Sequence, residues 1–382
     1  MKIYVFILLL LFPAILTYGQ FAEPQEIDLT NLQVPNSPAF MLLDVAPTQI
    51  ERPTSGKAFA LSILNSVNEN NGIPQNYAVE FTPYWYFKHR NLNAFKYWGI
   101  DPITNKNKGF NQIKLANISF AYVNTEWQDT TITGNINNLA LGIRTTVFQI
   151  ISKKNRKDLD SANAKIVERL KKVNELAAAF DPSDMEVFKA KVKVLLDSMS
   201  TDETMLAYEK EMQDILNRKP LFAIDGATAI NWSFDGNNFS SSQLSLFGAW
   251  LTFDFSLELN PENNEQRNYI SFLMLTRYTY DNSLDGNPLT DGDFMNLFDL
   301  GGRFAFEFKQ LLVSYEYIFR TATGQSTSTF RSTGMAMYKV SDKIYLLATL
   351  GKNFGDTNNL IAQFGINLGF GTGNEKVWTV QK

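Results

Sequence analysis

The sequence predicts an all-β chain, a transmembrane antiparallel β-barrel of about 12 strands with a helical insertion between strands 4 and 5. Three observations carry this prediction. Apolar and polar residues alternate with period 2 through most of the chain, in segments of roughly ten residues parted by turns. No internal segment is long and apolar enough to cross a membrane as a helix. Residues 153–220 alone abandon the alternation for helical spacing.

The first residues have the composition of a cleaved signal, with a short basic start at Lys2 and an apolar run from Val5 to Leu16. Small residues at Thr17 and Gly19 place cleavage before Gln20, so residues 1–19 read as a signal peptide. Residues 20–57 form an N-terminal strap or plug segment. Its compact core is Ser37-Pro-Ala-Phe-Met-Leu-Leu-Asp-Val-Ala-Pro47. The apolar residues there want burial, while Pro35, Pro38, Pro47 and Pro53 prevent a long helix or a central strand.

Residues 58–152 hold barrel strands 1–4. Phe59, Leu61 and Ile63 oppose Ala60 and Ser62. Val79, Phe81 and Trp85 oppose Glu80, Thr82 and Tyr84. Ile118, Phe120 and Tyr122 oppose Asn117, Ser119 and Ala121. Leu139, Leu141, Ile143 and Val147 oppose Gly142, Arg144 and Thr146.

In the insertion, Ile166, Leu170, Val173, Ala177 and Phe180 share a helical face. Asp181-Pro182 caps a second helix, and Thr201 a third that bears Met205, Tyr208, Met212 and Ile215. The other faces mix both charges and read as solvated.

Residues 221–371 hold strands 5–12. Asp225, Asn231 and Ser233 sit on one face of strand 5, and Thr252, Asp254 and Ser256 on one face of strand 6. Ser271, Arg277 and Thr279 do so on strand 7. The pattern is clearest over Met295–Phe319. There Phe298, Leu300, Phe304, Phe306 and Phe308 share one face, and Asp299, Arg303 and Glu307 the other. With Lys309-Gln310 as a two-residue turn, Phe308 pairs with Leu311. Arg303 then faces Glu316, and Asp299 faces Arg320. Opposite charges so placed are each worth roughly 0.2–1 kcal/mol, and a slip by one residue would turn every charge to the apolar face. Strands near 329–339, 343–352 and 359–370 complete the set, and residues 372–382 form a C-terminal tail. A secreted sandwich fits less well, because its strands are usually shorter and its outer faces less aromatic.

The aromatic faces are expected to meet lipid and the polar faces the lumen. The expected lumen-lining set is Glu80, Arg144, Asp225, Asp254, Arg277, Asp299, Arg303, Glu307, Glu316 and Arg320. These charges either line a polar pathway or pair across the lumen and close it. Minimal turns at Lys309-Gln310 and Ser341-Asp342 and longer loops near 281–296, 321–329 and 353–358 set the ends of the barrel. Short turns face the periplasm in such barrels, which puts the insertion on that side.

Several function classes are excluded. A net charge of −4 over 382 residues gives no nucleic-acid partner. The absence of cysteine removes disulfides and thiol chemistry. The single histidine, His89, follows an aromatic run and reads as an interfacial residue. No phosphate loop, nucleophile elbow or zinc-helix motif accompanies it, so no enzyme activity, cofactor or metal is expected. The acidic loop Asp281–Asp293, with Asp285 and Asp291, matches no standard calcium loop and reads as a solvated external loop.

Residues 58–370 resemble outer-membrane β-barrel proteins of Gram-negative bacteria. The signal ending in Gly-Gln and the strap motif Ser37–Val45 are most similar to barrels of the Bacteroidota. The resemblance implies residence in the bacterial outer membrane, among outer-membrane lipid, and no single activity. Two functions are expected. One is a narrow channel for small hydrophilic solutes, porin-like in transport, with the strap as its gate. The other is a non-conducting scaffold of an outer-membrane complex that docks an envelope protein through residues 157–217.

Overall fold

The computed structural model describes residues 37–44, 46, 49, 59–66, 76–87, 94–101, 104, 106–128, 133–178, 203–216, 218–235, 239–259, 268–282, 294–308, 310–323, 328–341, 344–355 and 360–370. The signal peptide, His89, the second helix of the insertion, most of the acidic loop and the C-terminal tail lie outside these residues.

Among the described residues, twelve strands follow the alternation: β1 Phe59–Ser66, β2 Asn76–Phe81, β3 Asn117–Gln128, β4 Thr133–Ile150, β5 Phe222–Asp235 and β6 Gln243–Glu258. The rest are β7 Asn268–Asp281, β8 Met295–Phe308, β9 Leu311–Ala322, β10 Thr329–Ser341, β11 Ile344–Lys352 and β12 Leu360–Phe370. Every strand pairs antiparallel with its sequence neighbours, and β1 also pairs with β12 from Phe59↔Phe370 to Ser66↔Gln363. The sheet is therefore a closed barrel with no free edge. Across the β8–β9 turn Phe308 pairs with Leu311, Arg303 with Glu316 and Asp299 with Arg320.

Burial is inverted relative to a water-soluble sheet. Along β9, Leu312, Ser314, Glu316 and Ile318 point inward and are buried, while Val313, Tyr315, Tyr317 and Phe319 point outward and are exposed. On β8, Phe304 and Phe306 are 45% and 44% exposed, whereas Arg303 and Glu307, which flank them, are 3% exposed. Exposed aromatic and aliphatic side chains continue over β6, β7, β10, β11 and β12.

The two ends of the barrel differ. The turn end carries the start of β1, the end of β12, the connections 309–310 and 342–343 and the helical insertion. The loop end carries the connections 282–294, 323–328 and 353–359.

The strand expected to reach Trp85 stops at Phe81. Pro83 has no N–H to give the ladder, and Pro83–Tyr86 winds into a 3-10 turn. The connection from there to β3 carries folded pieces that alternation does not announce. The short helix α2, Ala94–Trp98, follows the short helix α1, Pro38–Leu42, in the chain, and a 3-10 turn spans Gly109–Leu115. Of the insertion, α3 (Lys153–Ala178) and α4 (Glu203–Leu216) are described. Leu159 and Ala162 of α3 and Met212 and Ile215 of α4 pack with Phe95, Tyr97, Trp98 and Leu115 in one apolar cluster at the turn end. Arg218 clamps both helices, donating to Asn155 at 3.2 Å, to Asp214 at 3.3 Å and to Asp158.

The lumen is occupied. Helix α1 lies inside the barrel with Ala39, Phe40, Met41 and Leu42 buried. Ser37 caps it, its Oγ accepting from the Phe40 amide at 3.2 Å, and Pro38 fills the first turn, where no donor is lost. The wall makes room with glycines. A Cβ at Gly142 would lie 2.8 Å from Pro38 Cβ, and one at Gly248 2.7 Å from Leu42 Cδ1. The inner wall is accordingly not polar throughout. Trp250, Leu273, Leu275, Leu312, Ile318, Met335 and Leu347 face inward and pack with the strap's apolar residues.

Gly142→Val is expected to leave the barrel folded but displace α1. Limited proteolysis of the heat-modifiable barrel checks this: cleavage within 37–49 should become fast in the variant while the strands stay protected.

Candidate functional site

The strap is a re-entrant loop. It meets the wall first near the turn end, where the Ala39 amide donates to Ser119 Oγ at 3.3 Å. Leu42 reaches Gly248, in mid-strand. Asp44 stands at the apex, in the layer of Arg277, Asp299 and Arg320 toward the loop end. The chain then turns back, and Gln49 meets Glu316 two inward positions nearer the turn end. Asp44 at the apex has a left-handed φ of 54°, a conformation that Asp and Asn tolerate better than other side chains.

Three guanidinium groups hold this apex. Arg277 donates to Asp44 Oδ1 at 2.8 Å, to the Met41 carbonyl at 2.9 Å and to Gln49 Oε1 at 2.8 Å. Arg320 donates to Asp44 Oδ2 at 2.8 Å, and its guanidinium lies over the Phe354 ring at 3.5 Å. Arg331 donates to the Ala46 carbonyl at 2.8 Å and to Asn353 Oδ1 at 2.8 Å. Behind them Asp299 accepts from both Arg277, at 2.7 Å, and Arg320, at 2.8 Å. Glu316 accepts from the Gln49 amide at 2.9 Å and from Arg331 at 3.3 Å. The groups joined by these contacts are three guanidiniums and three carboxylates, so their formal charges cancel.

The base of the cluster is shielded from water, with the side chains of Arg277 and Asp299 1% and 0% exposed, while that of Asp44 at the apex keeps 24%. Charges taken out of water are stable only when fully paired. Burial alone would push the Asp44 carboxyl up, but the neighbouring guanidiniums of Arg320 and Arg277 outweigh it and hold that carboxyl well below the usual carboxylate range.

Of the other expected lumen residues, Arg303 lies across from Glu316 of the cluster, and the rest take other places on the inner face. Glu80 and Arg144 form a forked pair of their own, at 2.7 and 2.5 Å, between β2 and β4. Glu307 sits at the turn end, where Lys219, just after α4, reaches it at 2.5 Å. Asp254 accepts from Ser256 Oγ at 2.9 Å. Asp225 is buried on β5, and Arg303 is buried opposite Glu316. The site thus joins Arg277, Asp299, Glu316 and Arg320 of that set and adds Asp44, Gln49 and Arg331. Arg331 alternates with Phe330 and could have been found by continuing the period through β10. Asp44 is the one acidic residue between Ser37 and Gln49, but its partners lie more than 230 residues away in the chain. Among the described residues no group of histidine and acidic side chains could hold a metal ion.

Neither a family model nor a curated protein matches the sequence. The chain is similar in structure to the NanC porin, at 8% identity and TM-score 0.32, over 82% of this chain and 98% of that one. It is also similar to an outer-membrane protein of Acinetobacter baumannii, at 8% identity and TM-score 0.30, again over 82% and 98%. A third similar structure is the beta domain of a Bordetella autotransporter, at 8% identity and TM-score 0.31, over 83% and 99%.

The sign of the pH dependence follows from Asp44. Its docked pKa lies below its free one, so its ionisation favours docking at every pH above the ordinary carboxylate range, about pH 4. That contribution is lost as the pH falls through the depressed value. Proteolytic protection of the strap should therefore hold from neutral pH down to about pH 4 and fail only in stronger acid. In Asp44→Asn it should be weaker already at neutral pH.

Proposed function

We propose that the protein is an integral outer-membrane β-barrel that acts as a narrow channel for small hydrophilic solutes, shut at rest by its own N-terminal strap. The membrane assignment rests on the outward belt of Phe, Tyr, Leu and Val, which in water would be an exposed apolar patch far beyond the size that soluble proteins carry. A closed sheet with an apolar outside and charges inside meets the demand that every backbone polar group be satisfied within lipid. The short turns then face the periplasm, and the helical insertion with them.

The observation that carries the channel reading is that a charged lumen is filled by a segment of the chain that hydrogen bonds and ion pairs hold, rather than by side chains of the wall alone. Such contacts can be exchanged for water and solute without breaking a strand. No catalytic step belongs to this reading. A non-conducting scaffold is the second reading. It is favoured by the apolar cluster that α3 and α4 build with residues 94–115 at the turn end, and it places an envelope partner on residues 157–217.

Planar-bilayer conductance separates the two. The full chain should conduct little, and a variant lacking residues 37–49 should open steady channels. If that variant is a folded, heat-modifiable barrel and still does not conduct, the channel reading fails. The scaffold reading instead requires that deletion of 157–217 leave the barrel folded while a co-purifying envelope protein is lost.

The membrane assignment has its own check. Phe304→Arg, in mid-strand on the outer face, should cost about 2–4 kcal/mol of refolding free energy in lipid vesicles, and Val340→Arg, near the turn end, about 0–1 kcal/mol. Equal, small costs at both positions would place the belt in water.

A further inference from the structure

The strap's carboxylate occupies a place that the wall has prepared for one. Arg277 Nη2 and Arg320 Nη1 each grip one oxygen of Asp44 at 2.8 Å, which is forked recognition of a carboxylate from two sides. Both guanidiniums are held in place by a second carboxylate, Asp299, which belongs to the barrel. Phe354 stacks on Arg320 from the other side. Asp299 and Phe354 belong to the barrel and its loop, so these supports do not come from the strap.

Removing the strap leaves this layer short of one negative charge. Arg277 loses Asp44, the Met41 carbonyl and the Gln49 side chain together and keeps Asp299. Arg320 loses Asp44 and keeps the same Asp299. One carboxylate then serves two guanidiniums in a low-dielectric wall, where an uncompensated charge is costly. A second carboxylate restores the balance, and a neutral solute does not.

We propose that Arg277, Arg320 and Asp299 form a binding site for the carboxylate of a small organic acid, and that Asp44 is its built-in stand-in. The proposal rests on the channel reading for its consequence: a carboxylate solute competes with Asp44, displaces the apex of the strap and so opens the path it then follows. Arg331 and Glu316, which hold the returning limb at Ala46 and Gln49, let go once the apex is released.

The absence of native cysteine makes the test direct. Ala46→Cys places a single thiol in the buried limb of the full chain, and its maleimide labelling rate in the folded barrel reports strap release. At constant ionic strength, acetate or succinate should raise that rate saturably, by about fivefold or more, and chloride or glycerol should not. Adding Asp44→Asn should raise the rate without ligand and lower the succinate concentration needed for half-maximal response. Adding Arg277→Gln should abolish the response. Should that variant not fold, the Asp44→Asn comparison still decides.

Equal acceleration by chloride and acetate would mean charge screening and would overturn the proposal. So would a stronger response to inorganic phosphate than to acetate, since the vacancy matches one charge. A barrel that labels on succinate but never conducts keeps the site and loses the channel. One that conducts with no response to carboxylates keeps the channel and loses the site.

Discussion

The structure depends on one constraint: the sheet separates two media, and it puts its charges on the concave side. In water a strand buries its apolar face and solvates its polar one. Here Phe304, Phe306, Tyr315 and Tyr317 stay outside, and Arg303, Glu316 and Asp299 are enclosed. Enclosed charges must be matched, because the surrounding wall is a poor solvent for them. Glu80 with Arg144 and Asp299 with two arginines are the wall's own solutions, and Lys219, just after α4, answers Glu307. Asp44 is a solution that comes from the strap.

That arrangement also explains the apolar stripe inside. A short helix cannot carry only charge into a lumen, since its own backbone and side chains need packing. Phe40, Met41 and Leu42 find Trp250, Leu273 and Leu275, and Gly142 and Gly248 keep the wall clear of the helix. The apolar contacts hold the lower strap against the wall, and the ion pairs fix its tip. Apolar packing is indifferent to what else is dissolved nearby, while an ion pair exchanges partners with any solute that offers the same group. The two kinds of contact thus divide the tasks of holding and releasing.

How much of this is legible in the sequence follows from range. Strand faces are a local matter, and period 2 places Asp299, Arg303, Glu316 and Arg320 on one face without any knowledge of the fold. The β8–β9 register is nearly as local, because a two-residue turn and two opposite charge pairs suffice. Asp44 is different. Its partners lie on β7 and β9, and only a closed barrel brings them to the strap. The end of β2 at Phe81 was masked by the aromatic run that follows, whose residues continue the alternation in letters while Pro83 breaks it in backbone. Residues 94–115 carry no period because their apolar side chains, Phe95, Tyr97 and Trp98 among them, answer to α3 and α4 and not to the sheet.

The strap is also tethered. Fifteen residue steps separate Asp44 from Phe59, where β1 begins at the turn end. Fully extended they reach about 50–54 Å, less than twice the thickness of a bilayer core. A strap that leaves the lumen therefore keeps its carboxylate within two membrane thicknesses of its mouth. A carboxylate confined so closely has an effective concentration of about millimolar order. The barrel thus carries an internal reference concentration, and an outside solute that uses the same contacts is measured against it. Lengthening or shortening 50–58 would reset the threshold without altering a single residue of the site.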